Sequence, residues 1–185
     1  MTVAPADIID FWKATSGPAK WFAKSDAFDD DIRRRFEADH HAAARGEYAD
    51  WAESSDGALA LLLLLDQFPR NLYRGSAHAF ATDPLARKVA ARAVDAGMDR
   101  TVDLGLRIFF YLPFMHSEAL ADQDRSLALC EALGVETGDT GSANYGRHHR
   151  DIIARFGRFP HRNAVLGRES TPEELAFLAQ GGFSG

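Results

Sequence analysis

A chain of 185 residues with 46% hydrophobic and 26% charged residues can bury one substantial core, and this composition excludes the disordered and fibrous classes. The net charge of −6 and the pI near 5.6 lack the basic footprint of a nucleic-acid-binding domain, so no nucleic-acid partner is expected. We therefore predict a single domain over residues 1–185.

No membrane partner is expected either. The longest apolar run, Ala58 to Leu65, is far shorter than the roughly 18 residues that a spanning helix requires. Asp7 and Asp10 stand where a signal peptide would carry basic residues. Cys130 is the single cysteine and permits no internal disulfide. These features predict a cytoplasmic protein in which Cys130 is a small core residue.

Helix signals dominate the chain, whereas the alternating β-branched pattern of strands is nearly absent. The predicted class is therefore all-α. The first predicted helix opens at Pro5 and is broken by SGPAKWF, residues 16–22. Within that stretch Trp21 and Phe22 are apolar enough to pack back on the core.

The second predicted helix begins at Ser25 or Asp26, because either side chain can cap a first helical turn. Its early acids, Asp29 to Asp31, complement the positive end of the helix dipole and are interpreted as a solvated helix start. The helix is expected to end near Gly46, since glycine is common just past the last turn.

The third predicted helix, residues 57–68, is apolar on every side, which places it at the centre of the fold. It should stop at Pro69, because the residue before a proline is disfavoured in helical geometry. A fourth helix then has Asp83 as its cap, Pro84 at its first position and Gly97 past its end.

Two further helices are predicted to meet at Ser117. An apolar helix over residues 102–116 ends or kinks at Pro113, and Ser117 caps the helix that follows. Beyond a loop over residues 136–144, the next helix should turn His149 inward and leave His148 at its edge.

The last predicted helix begins at residues 171–174, where Thr171 and Glu174 match a capping box.

One polar phrase occurs twice, as DQFPRNLYRGS over residues 66–76 and as RFGRFPHRNAVLGREST over residues 155–171. In each copy a helix ends, an FP(H)RN sequence follows, and a proline-started helix begins further on. Chance and an internal duplication both remain open as explanations. We predict that the two copies face a common polar site.

These two phrases, together with FFYLPFMHSEALADQDRS over residues 109–126, resemble the bacterial DUF924 family, a domain of unknown function grouped with the TPR-like helical folds. The resemblance covers nearly the whole chain. It implies a TPR-like antiparallel array of helix pairs, an α-α superhelix. It implies no established reaction, substrate or cofactor, and the sequence shows no period of about 34 residues as true TPR arrays do.

The predicted ligand site combines arginines with neutral hydrogen-bonding groups. Planar guanidinium donors suit a carboxylate or a phosphate, and asparagine and histidine add neutral hydrogen bonds. Asp66, at the end of the most apolar helix, demands a cationic partner, which Arg70 or Arg162 can supply. The candidate ligand-binding residues are Asp66, Arg70, Asn71, Arg74, His116, Glu118, His149, Arg158, His161, Arg162 and Asn163.

Other site chemistries have weaker support. A metal would require ligands such as His116, Glu118 and Asp122 to converge, and the sequence has no compact HExxH motif, so neither a metal nor a cofactor is predicted. Ser117 is not surrounded by a nucleophile elbow, and neither glycine pattern of nucleotide binding occurs in its required context.

Three functions stay open at this point. The first is a protein that binds a small anionic or peptide ligand in a polar pocket. The second is an enzyme in which His149 or His161 is a general acid or base, oriented by Glu118 or Asp66. The third is a structural or protein-interaction module in which the arginines are internal struts. The oligomeric state does not follow from the sequence.

Overall fold

The computed structural model describes residues 3–21 and 24–183, with the backbone alone described for residues 15–20. Within these residues all regular structure is helical, so the predicted all-α class is confirmed. None of the described helices combines the length and hydropathy needed to cross a bilayer. The chain divides into two compact units: unit 1 is Met1–Arg74 with His78–Pro113, and unit 2 is Gly75–Ala77 with Phe114–Gly185.

Helices α1 to α5 lie in unit 1, and α7 to α9 lie in unit 2. In unit 1 these are α1 (Pro5–Lys20), α2 (Asp26–Ala44), α3 (Ser55–Leu62), α4 (Phe68–Leu72) and α5 (Asp83–Asp95). Helix α6 (Leu112–Met115) carries the chain from unit 1 into unit 2, which contains α7 (Leu120–Thr137), α8 (Gly141–Phe156) and α9 (Pro172–Ala179). Shorter 3₁₀ segments occupy Ala49–Glu53, Ala77–Phe80, Met98–Thr101, Leu104–Phe110 and Pro160–Arg162.

Helix α3 is central to unit 1, as predicted. Every residue from Ala58 to Leu65 is at most 3% exposed, because a helix that is apolar all round must have neighbours on all sides. Aromatic rings of other elements complete this core. Trp12 packs its ring 5.7 Å from that of Phe68 and 5.6 Å from that of Phe109, measured between centroids.

The prediction that the central helix stops at Pro69 is wrong, because a π-helical turn, Leu63–Gln67, continues α3 directly into α4. In this turn the Phe68 N–H donates to the Leu63 carbonyl, and Pro69 has no N–H to donate. Side chains from elsewhere in unit 1 satisfy nearby carbonyls. His40 Nδ1 donates to the Leu64 carbonyl at 2.8 Å, and Thr82 Oγ1 donates to the Leu65 carbonyl at 2.6 Å.

The predicted break in the first helix is also wrong, since α1 continues through residues 16–20 to Lys20. A proline removes one backbone donor, and the burial of residues such as Ile8 and Trp12 outweighs this local cost. Trp21 packs on the core as predicted: its Nε1 donates to the Trp12 carbonyl at 3.1 Å. Phe22 lies outside the described residues.

The boundaries of the second helix follow the prediction. Ser25 is its N-cap, since the Ser25 hydroxyl accepts a hydrogen bond from the Phe28 N–H at 3.3 Å. The helix ends at Ala44, and Gly46 just beyond has a φ of 79°.

Local chemistry moves two other predicted boundaries. Helix α5 starts at Asp83 itself, and the Asp83 carboxylate contacts Arg70 instead of capping the helix. Residues 102–116 form no single α-helix; they contain the 3₁₀ helix Leu104–Phe110 and the short α6. The Asp103 carboxylate accepts the Gly105 N–H at 3.0 Å, which favours a tight turn at that start.

In unit 2 the helix after Ser117 starts later than predicted. Ser117 lies three residues before α7, where its hydroxyl accepts the Ala119 N–H at 3.2 Å and donates to Asp122 at 2.6 Å. Helix α7 also extends to Thr137, so the predicted loop is shorter. The orientation of α8 is as predicted, with His149 buried and His148 exposed.

The predicted capping box at the start of α9 is confirmed. The Thr171 hydroxyl accepts the Glu174 N–H at 3.2 Å, and the Glu174 carboxylate accepts the Thr171 N–H at 2.8 Å.

Candidate functional site

In unit 1 the first FP(H)RN phrase meets the start of α2. Asn71 Nδ2 donates to Asp29 Oδ1 at 2.7 Å, and Arg74 donates to both Asp29 oxygens at 2.5 and 2.9 Å. Asp29 is only 7% exposed, and a bidentate guanidinium contact compensates a carboxylate that has lost its water. The interpretation of Asp29 as part of a solvated helix start is therefore wrong.

Arg70 of the same phrase lies between two acids. Its NH1 and NH2 groups donate to the two oxygens of Asp83 at 3.0 and 3.1 Å, and NH1 lies 3.3 Å from Asp66 Oδ1. The prediction that Asp66 pairs with a cation is thus confirmed for Arg70. Burial lowers the pKa of Arg70, but the charges of Asp66 and Asp83 outweigh burial and leave this pKa above its ordinary value.

A polar strip on α2, which the sequence interpretation missed, faces the same phrase. It consists of Asp29, Arg33, Glu37 and His41, spaced four residues apart on one side of the helix. Arg33 NH2 donates to the Leu72 carbonyl at 2.8 Å, and the Tyr73 hydroxyl donates to Glu37 at 3.2 Å. Because this hydroxyl proton is used, His41 Nε2 must donate to the Tyr73 oxygen, 3.1 Å away. The four-residue spacing was the signal available in the sequence.

An open cleft of about 280 Å³ lies beside this network in unit 1. Charges of both signs line it, and the side chains of Arg33 and Arg74 are 44% and 37% exposed. Two of the predicted site residues, Asn71 and Arg74, belong to its wall. The full lining is Lys24, Asp26, Asp29, Asp30, Arg33, Asn71, Leu72 and Arg74.

In unit 2 the second phrase surrounds Glu118. Arg168 donates to both Glu118 oxygens at 2.7 and 3.0 Å, and the Phe159 N–H donates to Oε1 at 2.8 Å. Burial raises the pKa of Glu118, but Arg168 and the Phe159 N–H lower it further, so the pKa lies below its ordinary value. Arg168 was not among the predicted site residues, although it lies in the same phrase.

Asn163 connects this pair to a second buried acid, Glu174. Arg168 Nε donates to Asn163 Oδ1 at 3.0 Å, and Asn163 Nδ2 donates to Glu174 Oε2 at 3.2 Å. Arg158 donates to both Glu174 oxygens at 2.6 and 2.7 Å. Hydrogen bonding from Arg158, aided by the Thr171 N–H, lowers the pKa of Glu174 to about 2 although burial opposes the shift. The sequence assigned Glu174 to helix capping alone.

Arg162 is 7% exposed and donates to the His116 carbonyl at 3.0 Å, with its guanidinium 4.5 Å from the centre of the Phe159 ring. These contacts lie inside unit 2, whereas Arg70 and Asp66 belong to unit 1. A carboxylate or ligand shared by Arg70 and Arg162 stays a prediction.

His149 is buried in unit 2, and its Nδ1 donates to the Tyr145 carbonyl at 2.9 Å. Burial lowers the pKa of His149 to about 3, although the bond to Tyr145 opposes the shift. The imidazole is therefore neutral at physiological pH, and its low pKa makes it a weak general base.

The predicted candidates thus fall into two sets. Asp66, Arg70, Asn71 and Arg74 lie in unit 1, and His116, Glu118, His149, Arg158, His161, Arg162 and Asn163 lie in unit 2. Among the described residues, no three His, Cys, Asp or Glu side chains are grouped as metal ligands would be. Cys130 is fully buried as predicted, and burial raises its thiol pKa to about 11.

The fold and these networks define an all-helical protein in which buried carboxylates are held by arginine and asparagine. The chain belongs to the DUF924 family, since the family model described as "Bacterial protein of unknown function (DUF924)" matches residues 8–182. A solved structure, a protein of unknown function, ATU0120, from Agrobacterium tumefaciens, is 51% identical with a TM-score of 0.90 over 96% of this chain and 97% of that chain. A search of curated proteins finds no match.

Proposed function

We propose that the protein binds a small anionic or peptide ligand in the cleft of unit 1. The observation that supports this function most is the mixed charge of the cleft wall. Lys24, Arg33 and Arg74 line it together with Asp26 and Asp30. Charges of both signs complement a ligand that carries an ammonium group as well as a carboxylate, as a free amino acid or a short peptide does.

Lys24 and Asp26 are the two charged groups of the cleft that can contact a ligand without breaking an internal ion pair. Asp29 is held by Asn71 and Arg74, and Arg33 donates to Asp30 at 2.8 Å. Lys24 and Asp26 are exposed, and within the described residues neither forms an ion pair. In this proposal Lys24 contacts the anionic group of the ligand and Asp26 contacts its ammonium group.

The size of the cleft favours a small ligand. A volume of about 280 Å³ is just below the roughly 300–1,000 Å³ of small-molecule sites. A free amino acid or one or two residues of a peptide suit this space better than a large cofactor does.

A structural module is the second candidate, and a separate observation favours it. Arg70, Arg74 and Arg158 each donate to a carboxylate of their own unit, so these arginines already act as internal struts. The enzyme alternative rests on His161, since the low pKa of His149 argues against a role as base. We also propose a TPR-like arrangement and a cytoplasmic location, both carried over from the sequence.

Binding can be tested by nuclear magnetic resonance titration of the ¹⁵N-labelled chain with glycylglycine, acetate and ethylammonium. We expect glycylglycine to shift the backbone resonances around Lys24 and Arg74 and to bind at least about tenfold more tightly than acetate or ethylammonium, because it satisfies both charges. Lys24→Ala should weaken this binding, and Lys88→Ala, an exposed lysine outside the cleft, should leave it unchanged. Equal binding of all three probes, or no effect of Lys24→Ala, would contradict the proposal.

A further inference from the structure

The ring of Phe183 is surrounded by histidines of unit 2. Its centroid lies 4.6 Å from that of His149, 5.1 Å from that of His161 and 5.7 Å from that of His148, and all three contacts are edge-to-face. Tyr145 and Phe159 are further aromatic neighbours, with centroids 6.0 and 6.4 Å away. Aromatic groups on several sides therefore form a receptor for one planar ring.

Gly181 and Gly182, which follow the end of α9, determine where the Phe183 ring lies. Gly181 has a φ of 78°, in the left-handed region, and donates its N–H to the Leu178 carbonyl at 3.2 Å. Gly182 donates to the Phe177 carbonyl at 3.0 Å, which completes a Schellman motif. A Cβ at Gly182 would lie 2.5 Å from the Phe177 carbonyl oxygen, so a side chain there is excluded. The two glycines turn the chain back and direct Phe183 toward the histidines.

The receptor has a polar atom as well as ring faces. His149 is neutral, since burial lowers its pKa to about 3, and its Nδ1 proton is bound to the Tyr145 carbonyl. Its Nε2 is therefore a hydrogen-bond acceptor. A phenyl ring cannot donate to this atom, whereas a ring with a hydroxyl group can.

Phe183 lies four residues beyond the end of α9, away from the contacts that hold the start of this helix. Phe183 is only partly buried, whereas Phe159 beneath it is fully buried. Helix α9 is held at its other end, where Glu174 is bound by Arg158 and by the capping box with Thr171. Phe177 also holds the helix through its ring contact with Phe156, at 5.0 Å between centroids.

We propose that the place of the Phe183 ring is a binding site for the aromatic ring of a ligand, preferably a phenol, and that Phe183 occupies it as an internal competitor. The ligand ring contacts His149, His161 and Tyr145, and its hydroxyl donates to His149 Nε2. This site is independent of the cleft of unit 1, because it uses other residues and another ligand chemistry.

The test is chemical rescue of Phe183→Ala with p-cresol. We expect the substitution to lower the Tm by about 4 °C or more, because the ring is partly buried. Millimolar p-cresol should restore at least about half of that loss and should shift the imidazole resonances of His149 and His161. The wild-type chain should bind p-cresol at least about tenfold more weakly, since Phe183 competes with it.

Matched controls separate this site from a simple cavity. Phe156→Ala removes another partly buried ring of unit 2, which makes no ring contact with a histidine among the described residues, so p-cresol should not rescue it. Cyclohexanol has the hydroxyl but no aromatic ring and should not rescue Phe183→Ala. Rescue of Phe156→Ala to the same extent, equal rescue by cyclohexanol, or no rescue of Phe183→Ala would overturn the proposal.

Two further arms keep the test decisive. If Phe183→Ala does not fold, Phe183→Leu retains apolar burial without the aromatic ring, and the same tighter binding of p-cresol is expected. Free tyrosine and N-acetyltyrosinamide then distinguish an amino acid from a peptide as the source of the ring. Failure of both to bind Phe183→Leu, together with failure of p-cresol, would also overturn the proposal.

Discussion

The two FP(H)RN phrases bind a carboxylate in similar ways but leave different surroundings. Asn71 and Arg74 hold Asp29 in the first turn of α2, and Asn163 and Arg158 hold Glu174 in the first turn of α9. In both units the phrase contacts an acid that also complements a helix dipole. Each phrase thus holds the first turn of another helix through that acid. This structural role does not require a ligand.

The difference lies in what surrounds each acid. Arg74 is 37% exposed at its side chain and lines a cleft of unit 1. In unit 2 a second ion pair, Arg168 with Glu118, is joined through Asn163 to Glu174, and the side chain of Arg158 is 28% exposed. We infer that unit 2 uses its phrase as a strut, whereas unit 1 combines a strut with an accessible surface.

The largest expected effect is that of Glu174→Ala. The substitution removes a capping interaction and leaves the buried Asn163 amide without this acceptor, which together cost about 3 kcal/mol. At this chain length, that corresponds to a fall in Tm of about 6 to 12 °C. Differential scanning calorimetry measures the effect, and Glu173→Ala, whose side chain is 62% exposed in the same helix, should change the Tm by less than about 2 °C. Equal effects of the two substitutions would contradict the structural role of Glu174 in unit 2.

Arg162→Ala should be the next most damaging change in unit 2. Its guanidinium is buried, donates to the His116 carbonyl and packs on Phe159, so its loss should lower the Tm by about 6 °C. His161→Ala should lower the Tm by less than about 3 °C, because this side chain is only partly buried. Thermal melts that gave the two variants the same loss would make His161 a strut as well.

A smaller loss is expected for Asp29→Ala in unit 1. Arg74 is partly exposed and can regain water, so the main penalty is the buried Asn71 amide, about 1 to 2 kcal/mol or roughly 4 °C in Tm. Asp30→Ala, whose acid is 63% exposed at its side chain, is the control and should be nearly neutral. A loss as large as that of Glu174→Ala would remove the contrast between the two units.

The fall of Tm at low pH tests the contribution of the Glu174 carboxylate separately. The pKa of Glu174 is lowered to about 2 by Arg158, so its contribution is fully present above the ordinary glutamate pKa near 4.3 and is lost as the pH falls toward 2. The wild-type Tm should therefore fall more steeply than that of Glu174→Gln between about pH 5 and pH 2.5. Parallel curves for the two chains would show that this carboxylate is not preferentially ionised in the folded state.

The smallest expected effect is that of a chelator. Since no metal-ligand group occurs among the described residues, EDTA should change the Tm by less than about 1 °C. A fall of several degrees would indicate a structural metal ion, with His116 and Glu118 as the first residues to substitute.

Capping signals predicted helix ends correctly where the side chain bonds the backbone of its own helix, and they failed at Asp83 and Ser117, whose side chains bond Arg70 and Asp122. Ser25, Gly46 and the Thr171–Glu174 box were predicted correctly, because a capping side chain bonds backbone groups two or three residues away. The prediction failed at Pro69 and at residues 16–20, where burial of neighbouring apolar residues outweighed a local helix-breaking signal.

The sequence by itself determined the all-α class, the buried α3 and the inward His149, since helical periodicity sets these features. It also indicated that Asp66 needs a cationic partner but left Arg70 and Arg162 open, and the tertiary structure decided for Arg70. The choice of acid by the other arginines depended on tertiary structure. Arg74 binds Asp29 across 45 residues, and Arg168 binds Glu118 across 50. Charge and residue type make many such pairs equally possible along a chain, and only helix packing brings one of them within hydrogen-bond distance.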